Sequence, residues 1–422
     1  MKKALSLVLA LALLLGASVA AAEPKTIDGL TPRNITISPA GLNETAEEMV
    51  EQGYSPTTGR NLYEIDYKDG YLGLAVTGVY QPIMVQITNS NNGIGKFSGK
   101  GERAGEPYRI APVNGTYVDV VYEACQARGG SETRMSYIFS DVAPDYVGYI
   151  RSARLTHVSI RQEWNCILCT SGYTSKDIPK ALKELGIRKP EGATEDDVGE
   201  VFVNGFGPWM PYFLRVHMLD TPNNLVCSPV GLLTNVIPQD HQPANHTWKF
   251  TDDLPIGGDD AGIVYITFGG GQDTDSRLEY DPSTNEYTRI VSTKDLGDLP
   301  YCETVFSDAE VKKVKTTSGK ITTKLVYGGL TTGEPITFSN VIVQGVEMKW
   351  KGRKRPNPTL VGEGNADYFM GGKHIAGVWK RDDENSRTVF YGEDGQEIEL
   401  QRGRTLIILM GYNDKGTSVQ YE

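Results

Sequence analysis

The arginines of the segment VGYIRSAR, residues 147–154, are the side chains in this sequence best suited to chemistry. Arg151 and Arg154 lie three residues apart at the predicted start of a helix, where cations oppose the helix dipole and repel each other. Such an arrangement needs either carboxylate partners within the fold or an anion that binds from solution. Guanidinium groups bind phosphate and carboxylate through two parallel hydrogen bonds, so anion binding is the chemistry that this spacing suggests.

The predicted elements around these arginines place further charged groups beside them. Glu123 ends the predicted strand VDVVYE, and Arg134 begins the next one, TRMSYIF. If these strand ends and the start of the helix meet at one edge of an open sheet, they line a crevice there, to which Arg215 is a further candidate. Two interpretations stay open: Glu123 pairs with Arg154 and ties strand to helix, or the surplus positive charge holds a ligand. In an enzyme, Glu123 would be the general acid or base.

The order of elements predicts an α+β protein. Strands and helices alternate through residues 76–247, which is typical of an α/β domain with a mixed sheet and flanking helices. Residues 248–422 contain strands joined by short turns, which predicts a mostly antiparallel β domain. Residues 23–75 are polar and irregular, and we interpret them as an N-terminal arm.

The first 22 residues have the features of a signal peptide. Lys2 and Lys3 precede the apolar run ALSLVLALALLLG, and Ala20 and Ala22 suit the −3 and −1 positions of a cleavage site. We expect cleavage after Ala22, and no cysteine near that site indicates a lipid anchor. No later segment approaches the length of a membrane span. The sequence therefore predicts a secreted, extracytoplasmic chain without a transmembrane span after cleavage.

The composition argues against several classes of function. The formal net charge of −11 disfavours nucleic acid as a main partner. The five histidines are few for a metal enzyme, and we predict neither a metal site nor a cofactor. The C-x-x-C of NCILCTSG lies in a predicted strand, where residues three apart are about 10 Å from each other, so we expect core cysteines rather than a redox pair. A long-range disulfide among the five cysteines remains open.

Several motifs in order resemble the YerB-like family. They are QPIMVQITN, VDVVYEA, VGYIRSAR, ILCTSG and PNNL in residues 80–245, and SNVIVQ, GKHIAGVWKR and FYGEDGQEIELQRGRTLIIL in residues 248–410. The resemblance implies a bacterial envelope protein, often a lipoprotein, with a two-part domain of no established activity. Within these motifs Asn89, Ser152 and Asn224 would join the arginines as ligand-binding residues.

Three positions depart from the pattern of this family. Thr88 stands where an aspartate is favoured, and Asn223 and Cys169 stand where histidines are usual. If those polar positions carry chemistry in relatives, that chemistry is in doubt here, whereas binding by the arginines is not.

These features predict a binding or accessory factor at the cell envelope. The ligand would be an anionic envelope component that carries phosphate or carboxylate, held by Arg134, Arg151 and Arg154. One alternative is a hydrolase or transferase that acts on wall glycans or peptides with Glu123 as general acid/base. The other is a protein–protein scaffold whose partner is another envelope protein.

Overall fold

A computed structural model describes most of the chain after the predicted signal peptide. The described residues are 23–39, 43–89, 94–96, 107–109, 111–173, 177–184, 202–204, 210–221, 223–236, 241–269, 275–293, 297–316, 318–352 and 355–422. The predicted signal peptide and its cleavage site, residues 1–22, lie outside them.

The helices are short and lie mainly in the first half of the chain. They are α1 (Ala46–Glu51), α2 (Leu74–Thr77), α3 (Leu155–Trp164), α4 (Asp177–Glu184) and α5 (Pro229–Asn235). Single 3-10 turns occur at Leu62–Glu64, Gly115–Tyr117 and Met210–Tyr212.

Strands make up much of the remainder. Up to residue 247 they are β1 (Lys25–Thr26), β2 (Ile83–Asn89), β3 (Ile94–Lys96), β4 (Pro107–Arg109), β5 (Val120–Cys125), β6 (Thr133–Phe139), β7 (Val147–Gly148), β8 (Ile167–Thr170), β9 (Phe202–Asn204), β10 (Phe213–Arg215) and β11 (Leu225–Cys227). The later strands are β12 (Lys249–Thr251), β13 (Asp259–Asp260), β14 (Ile263–Phe268), β15 (Ser276–Asp281), β16 (Glu286–Thr293), β17 (Gly297–Pro300), β18 (Cys302–Ser307), β19 (Glu310–Lys315), β20 (Ile321–Val326), β21 (Gly329–Pro335), β22 (Thr337–Phe338), β23 (Asn340–Gly345), β24 (Met348–Trp350), β25 (Pro356–Pro358), β26 (Gly362–Met370), β27 (Lys373–Arg381), β28 (Val389–Gly392), β29 (Glu399–Gln401), β30 (Thr405–Met410) and β31 (Thr417–Tyr421).

Strands from both halves of the chain form one mixed sheet. Its order among the described strands is β13-β27-β26-β23-β30-β5-β6-β2-β8-β9, with β28 paired to β27. The halves meet where β30 runs parallel to β5, with Ile407 opposite Tyr122 and Ile408 opposite Glu123. Backbone hydrogen bonds therefore join the predicted α/β part directly to the predicted β part, and the boundary near residue 247 stays a prediction.

A second, antiparallel sheet packs on one face of the mixed sheet. It contains β1-β31-β14-β15-β16-β17, with β22 paired to β16. Its buried side chains, such as Val264 and Val419, share a core with Val121 and Met135 of the mixed sheet. Helices α3 and α4 cover the opposite face, where Val158 and Ile178 pack with other buried side chains. This arrangement confirms the predicted α+β class.

Helix α3 begins one turn later than the sequence suggested. Arg154 is its N-cap residue, with extended backbone angles, and Arg151 lies before the helix. Asn165 ends the helix in the left-handed conformation, which asparagine tolerates better than most residues. The two arginines therefore sit in the segment that leads into the helix, and the prediction that both open it was wrong for Arg151.

The cysteines are free thiols. Cys125, Cys166, Cys169 and Cys227 are buried, and Cys302 is partly exposed. Cys166 directly precedes β8, and Cys169 lies within it. The two side chains pack into the cores on opposite faces of the mixed sheet. The C-x-x-C is thus structural, as the strand assignment predicted.

None of the described helices has the length and apolar character needed to cross a membrane.

Candidate functional site

The candidate site lies at the carboxyl ends of β2 and β8. These strands run parallel, with Ile83 to Val85 beside Ile167 to Cys169. Further along β2 the segment before α3 takes the place of β8, because Ile87 pairs with Ile150 and the Arg151 N–H donates to the Gln86 carbonyl at 2.8 Å. The end of β8 therefore diverges from β2, and residues 151–153 lie between them, because the Ser171 N–H donates to the Arg151 carbonyl and the Ala153 N–H donates to the Gly172 carbonyl, both at 2.9 Å. The arginines at this edge of the sheet, where open α/β sheets bind ligands, are called the arginine crevice below.

Arg134 and Arg154 converge on the same carbonyl group in this crevice. Arg134 Nη1 and Arg154 Nη1 both donate to the Ser152 carbonyl, the latter at 3.3 Å, and Arg154 Nη1 also donates to the Ala153 carbonyl at 3.0 Å. Arg151 reaches the Asn223 carboxamide, with Nη2 to Oδ1 at 2.7 Å. The sequence prediction that these three arginines cluster is consistent with this placement, and Ser152 contributes through its backbone.

The pKa values of the three arginines reflect their burial and their mutual repulsion. Burial, followed by the charge of Arg154, lowers the pKa of Arg134 to about 9. Burial lowers the pKa of Arg154 to about 10, with Arg151 adding to the effect, and burial also lowers that of Arg151. Keeping all three cations in the folded protein therefore costs free energy, which an added anion would offset.

The carboxylate that belongs to this cluster is Glu132, which the sequence reasoning missed. Its Oε1 lies 3.1 Å from Arg134 Nη2, and its charge favours the protonated form of Arg134, Arg151 and Arg154 alike. The sequence contained a signal for this pair, because Glu132 and Arg134 are two residues apart at the start of a strand and so project to the same side. One glutamate faces three arginines among the described residues, so the cluster keeps a surplus of positive charge.

Each of these arginines also has an unused donor. Arg134, Arg151 and Arg154 all have a buried Nε–H that finds no acceptor within the described part of the chain. Buried donors are nearly always hydrogen-bonded to protein or to an ordered bound species. Arg289 Nε, in the core on the other face of the sheet, likewise has no acceptor among the described residues.

Glu123 and Asn89 lie on the other face of the sheet. Glu123 pairs across β6 with Met135, whereas Arg134 pairs with Ala124, so alternation sends the two charged side chains to opposite faces. Asn89 Nδ2 donates to Glu123 Oε1 at 2.9 Å. The structure thus does not bring either residue to the arginines.

Glu123 is instead bound to Arg289 of the second sheet. Arg289 Nη2 donates to Glu123 Oε1 at 3.2 Å, and Nη1 lies 2.8 Å from Oε2 without the alignment of a hydrogen bond. Thr133 Oγ1 donates to the same Oε1 at 2.7 Å. Glu123 is fully buried and Arg289 is 2% exposed. A general acid or base must reach its substrate, and this position gives no support to that role.

Arg215 binds one of the two asparagines of the PNNL element, and Arg151 binds the other. Arg215 Nη1 donates to Asn224 Oδ1 at 2.6 Å, and Asn224 Nδ2 donates to the Leu219 carbonyl at 2.8 Å. Asn223, one residue earlier, accepts from Arg151. Asn224 therefore orients Arg215, and Asn223 orients Arg151.

His157 lies under the arginines as a neutral residue. Its Nδ1 accepts a hydrogen bond from the Arg154 N–H at 3.0 Å, which caps the start of α3. Burial, with the charges of Arg134 and Arg154, holds its pKa well below the usual range. The described residues contain no group of three or more His, Cys, Asp or Glu side chains placed to hold a metal ion.

Comparisons with known proteins identify a family but no activity. Residues 115–241 match the N-terminal domain of a protein of unknown function (DUF3048), and residues 264–407 match its C-terminal domain. No curated protein matches the chain. The crystal structure of the YerB protein from Bacillus subtilis is similar at 18% identity and a TM-score of 0.55, over 86% of this chain and 99% of that one. This likeness concerns the fold. The chain belongs to the YerB-like family, whose two domains are of unknown function.

Proposed function

We propose that this protein is an exported binding or accessory factor of the cell envelope and that its arginine crevice holds an anionic ligand bearing phosphate or carboxylate. The observation that carries the proposal is the set of three buried Nε–H donors without acceptors on Arg134, Arg151 and Arg154. A phosphate or carboxylate oxygen supplies acceptors and negative charge together.

The charge balance supports the same class of ligand. Glu132 alone faces the three arginines within the described residues, and burial lowers the pKa of each cation. A neutral ligand would accept hydrogen bonds but would leave the repulsion in place. An anion supplies hydrogen-bond acceptors and also reduces the repulsion among the arginines, so anions are the preferred ligands.

The export component rests on the sequence of residues 1–22, with Lys2 and Lys3 before an apolar run and a small-residue site at Ala22. Expression in a bacterial host followed by fractionation and N-terminal sequencing tests it. We expect a product that begins at Glu23 outside the cytoplasm. An intact N-terminus at Met1 in the cytoplasm would refute export.

Ligand binding is tested by thermal unfolding of residues 23–422 with phosphate, polyphosphate, carboxylate-bearing wall fragments and neutral sugars. A ligand specific for the folded state adds about 2.7 kcal/mol of stability at a hundred times its Kd. Anions should raise the Tm, and this rise should shrink with added salt.

The variants Arg151→Ala and Arg154→Lys locate the site. Loss of one charge-assisted hydrogen bond should weaken anion binding roughly ten- to a hundredfold. Arg154→Lys keeps the charge but loses the planar fork, so it should also weaken binding. Arg277→Ala is the matched control, because Arg277 pairs with Glu279 on the second sheet. Equal binding in all four proteins would refute the arginine crevice as the site.

A further inference from the structure

A second cavity lies at the other end of β5 from the arginine crevice. β5 is six residues long, so the two sites are about 20 Å apart. The cavity has a volume of about 330 Å³, and its walls come from the N-terminal arm and from residues beside the starts of β5 and β30. The wall residues used below are Arg60, Tyr117, Asp119, Asp141, Thr284 and Arg404.

Two buried carboxyl groups form one wall. Asp119 is 2% exposed, and its Oδ2 accepts hydrogen bonds from the Ser140 N–H at 2.6 Å and the Asp141 N–H at 2.9 Å. Its Oδ1 has no hydrogen-bond partner among the described residues, although the side chain lines the cavity. Burial, followed by the charge of Asp141, raises the pKa of Asp119 well above the usual range. Asp119 can therefore present an acid proton as well as an oxygen.

Both carboxylate oxygens of Asp141 accept hydrogen bonds from side-chain hydroxyl groups. Ser55 Oγ donates to its Oδ1 at 2.5 Å, and Thr58 Oγ1 donates to its Oδ2 at 2.7 Å. Burial raises the pKa of Asp141 too, but these hydroxyls and the charge of Arg60 oppose that rise. The pair thus favours one neutral and one ionised carboxyl group.

Arg60 brings an unpaired cation to the cavity. Its guanidinium makes no hydrogen bond or ion pair with any residue that the structure describes, although its charge acts on Asp141. Arg404 is different, since Nη1 donates to the Thr116 carbonyl at 2.7 Å and Nη2 to Thr337 Oγ1 at 2.8 Å. Arg402, the third arginine on the wall, donates to Asp252 and to the Gly59 carbonyl. Among the described arginines of the wall, Arg60 is therefore the cation available to a ligand.

The walls are held together before any ligand binds. The Gly403 N–H donates to the Thr58 carbonyl at 2.8 Å, which ties the loop before β30 to the turn that binds Asp141. Gly403 has a φ of +139°, and a Cβ there would lie 2.0 Å from Ser339 Oγ, so only glycine allows this approach. A preformed, partly enclosed space is typical of small-molecule sites, and the largely polar lining of this one suits a polar ligand.

We infer that this cavity binds a sugar carrying one carboxylate or phosphate group. The Asp119 carboxyl group offers a donor and an acceptor for hydroxyls, and the partly buried Tyr117 side chain adds apolar surface to the wall. Arg60 supplies the partner for the anionic group. The volume suits a ligand of one or two sugar rings. The inference is independent of the proposed anion crevice, because it uses other residues at the opposite end of β5.

Isothermal titration calorimetry with glucuronate, glucose 6-phosphate, glucose and inorganic phosphate tests the inference. The charged sugars should bind more tightly than glucose or phosphate alone. Arg60→Ala should weaken their binding roughly ten- to a hundredfold, because one charge-assisted contact is lost. Arg128→Ala is its matched control, since Arg128 is exposed and forms no hydrogen bond with the described residues.

A second variant blocks the cavity without touching its charges. Thr284 is an exposed turn residue on the cavity wall, so Thr284→Trp should abolish sugar binding while Thr284→Ser leaves it intact. Binding that persists in both Arg60→Ala and Thr284→Trp overturns the inference, as does no heat with any sugar at millimolar concentration. Loss of sugar binding in Arg151→Ala alone would assign the sugar to the arginine crevice, which overturns the cavity site but supports the proposed function.

Discussion

The ion pair between Glu123 and Arg289 should act as a structural tie between the two sheets. Both side chains are buried, and Arg289 lies 2.8 Å from the carboxylate while stacking over Tyr301 with 5.2 Å between the guanidinium carbon and the ring centre. Removing one partner of a buried pair leaves an uncompensated charge, at a cost of about 3–5 kcal/mol. Glu123→Gln keeps the shape and the acceptor for Asn89 and Thr133 but leaves Arg289 unpaired. Arg289→Met leaves the carboxylate unpaired instead.

The size of the effect on thermal unfolding follows from the length of the chain. With an unfolding entropy of about 2.1 cal/mol/K per residue, a cooperative unit of about 400 residues shifts by roughly 1.2 °C per kcal/mol, so each variant should lose about 4–6 °C in Tm. The double variant, Glu123→Gln with Arg289→Met, leaves neither charge behind. Its loss should therefore be clearly smaller than the sum of the two single losses.

The assay is urea and thermal unfolding of the four proteins, followed by tryptophan fluorescence. Glu286→Gln is a control on the same strand as Arg289, because its carboxylate is partly exposed near Arg404. The structural role is refuted if Glu123→Gln unfolds at the same temperature and urea concentration as the parent. If the double variant loses as much stability as the two single variants together, the interaction between Glu123 and Arg289 is refuted.

Three further predictions concern other parts of the fold. Burial and the charge of Asp141 raise the pKa of Asp119, so at intermediate pH the folded protein holds a proton that the unfolded chain releases. The contribution of Asp119 to the free energy of unfolding is therefore full below the ordinary aspartate pKa and is lost as the pH rises through the raised pKa. Asp119→Asn should flatten that fall, as read from urea midpoints between acidic and neutral pH. Thiol titration should count five free thiols in denaturant but only Cys302 reacting quickly in the folded protein, and a count of three or fewer in denaturant would refute the free-thiol assignment. Ser228 Oγ caps α5 by accepting from the Gly231 N–H at 3.0 Å, so Ser228→Ala should cost about 1 kcal/mol in urea unfolding, whereas no change would deny the cap a role.

The sequence predicted the class of fold and drew attention to the arginines because both depend on local pattern, but it wrongly placed Glu123 and Asn89 beside them. Alternating strands and helices, and the motif VGYIRSAR, are readable within short windows. Short windows of sequence do not reveal every ion-pair partner of these charged residues. Glu132 could have been found, because it precedes Arg134 by two residues at a strand start.

The partner of Glu123 could not have been found by local reasoning. Arg289 is 166 residues away in the chain and belongs to a sheet that packs on the other side. β5 is apolar on both faces apart from Glu123, so its alternation does not reveal which face the glutamate takes. The face is decided by the register with β6, which pairs Glu123 with Met135 and so separates it from Arg134.

The position of β5 also determines how functional changes at Glu123 must be interpreted. β5 lies between β30 and β6, begins beside the cavity of Asp119 and ends near the crevice of Arg134. A substitution that loosens β5 would disturb both sites even though neither site contains Glu123. Loss of ligand binding in Glu123→Gln would therefore implicate the carboxylate itself only if the Tm of that variant is unchanged and Arg289→Met still binds the ligand. Equal losses in Glu123→Gln and Arg289→Met, with a lowered Tm in both, mean that the carboxylate supports the sites by holding the two sheets together.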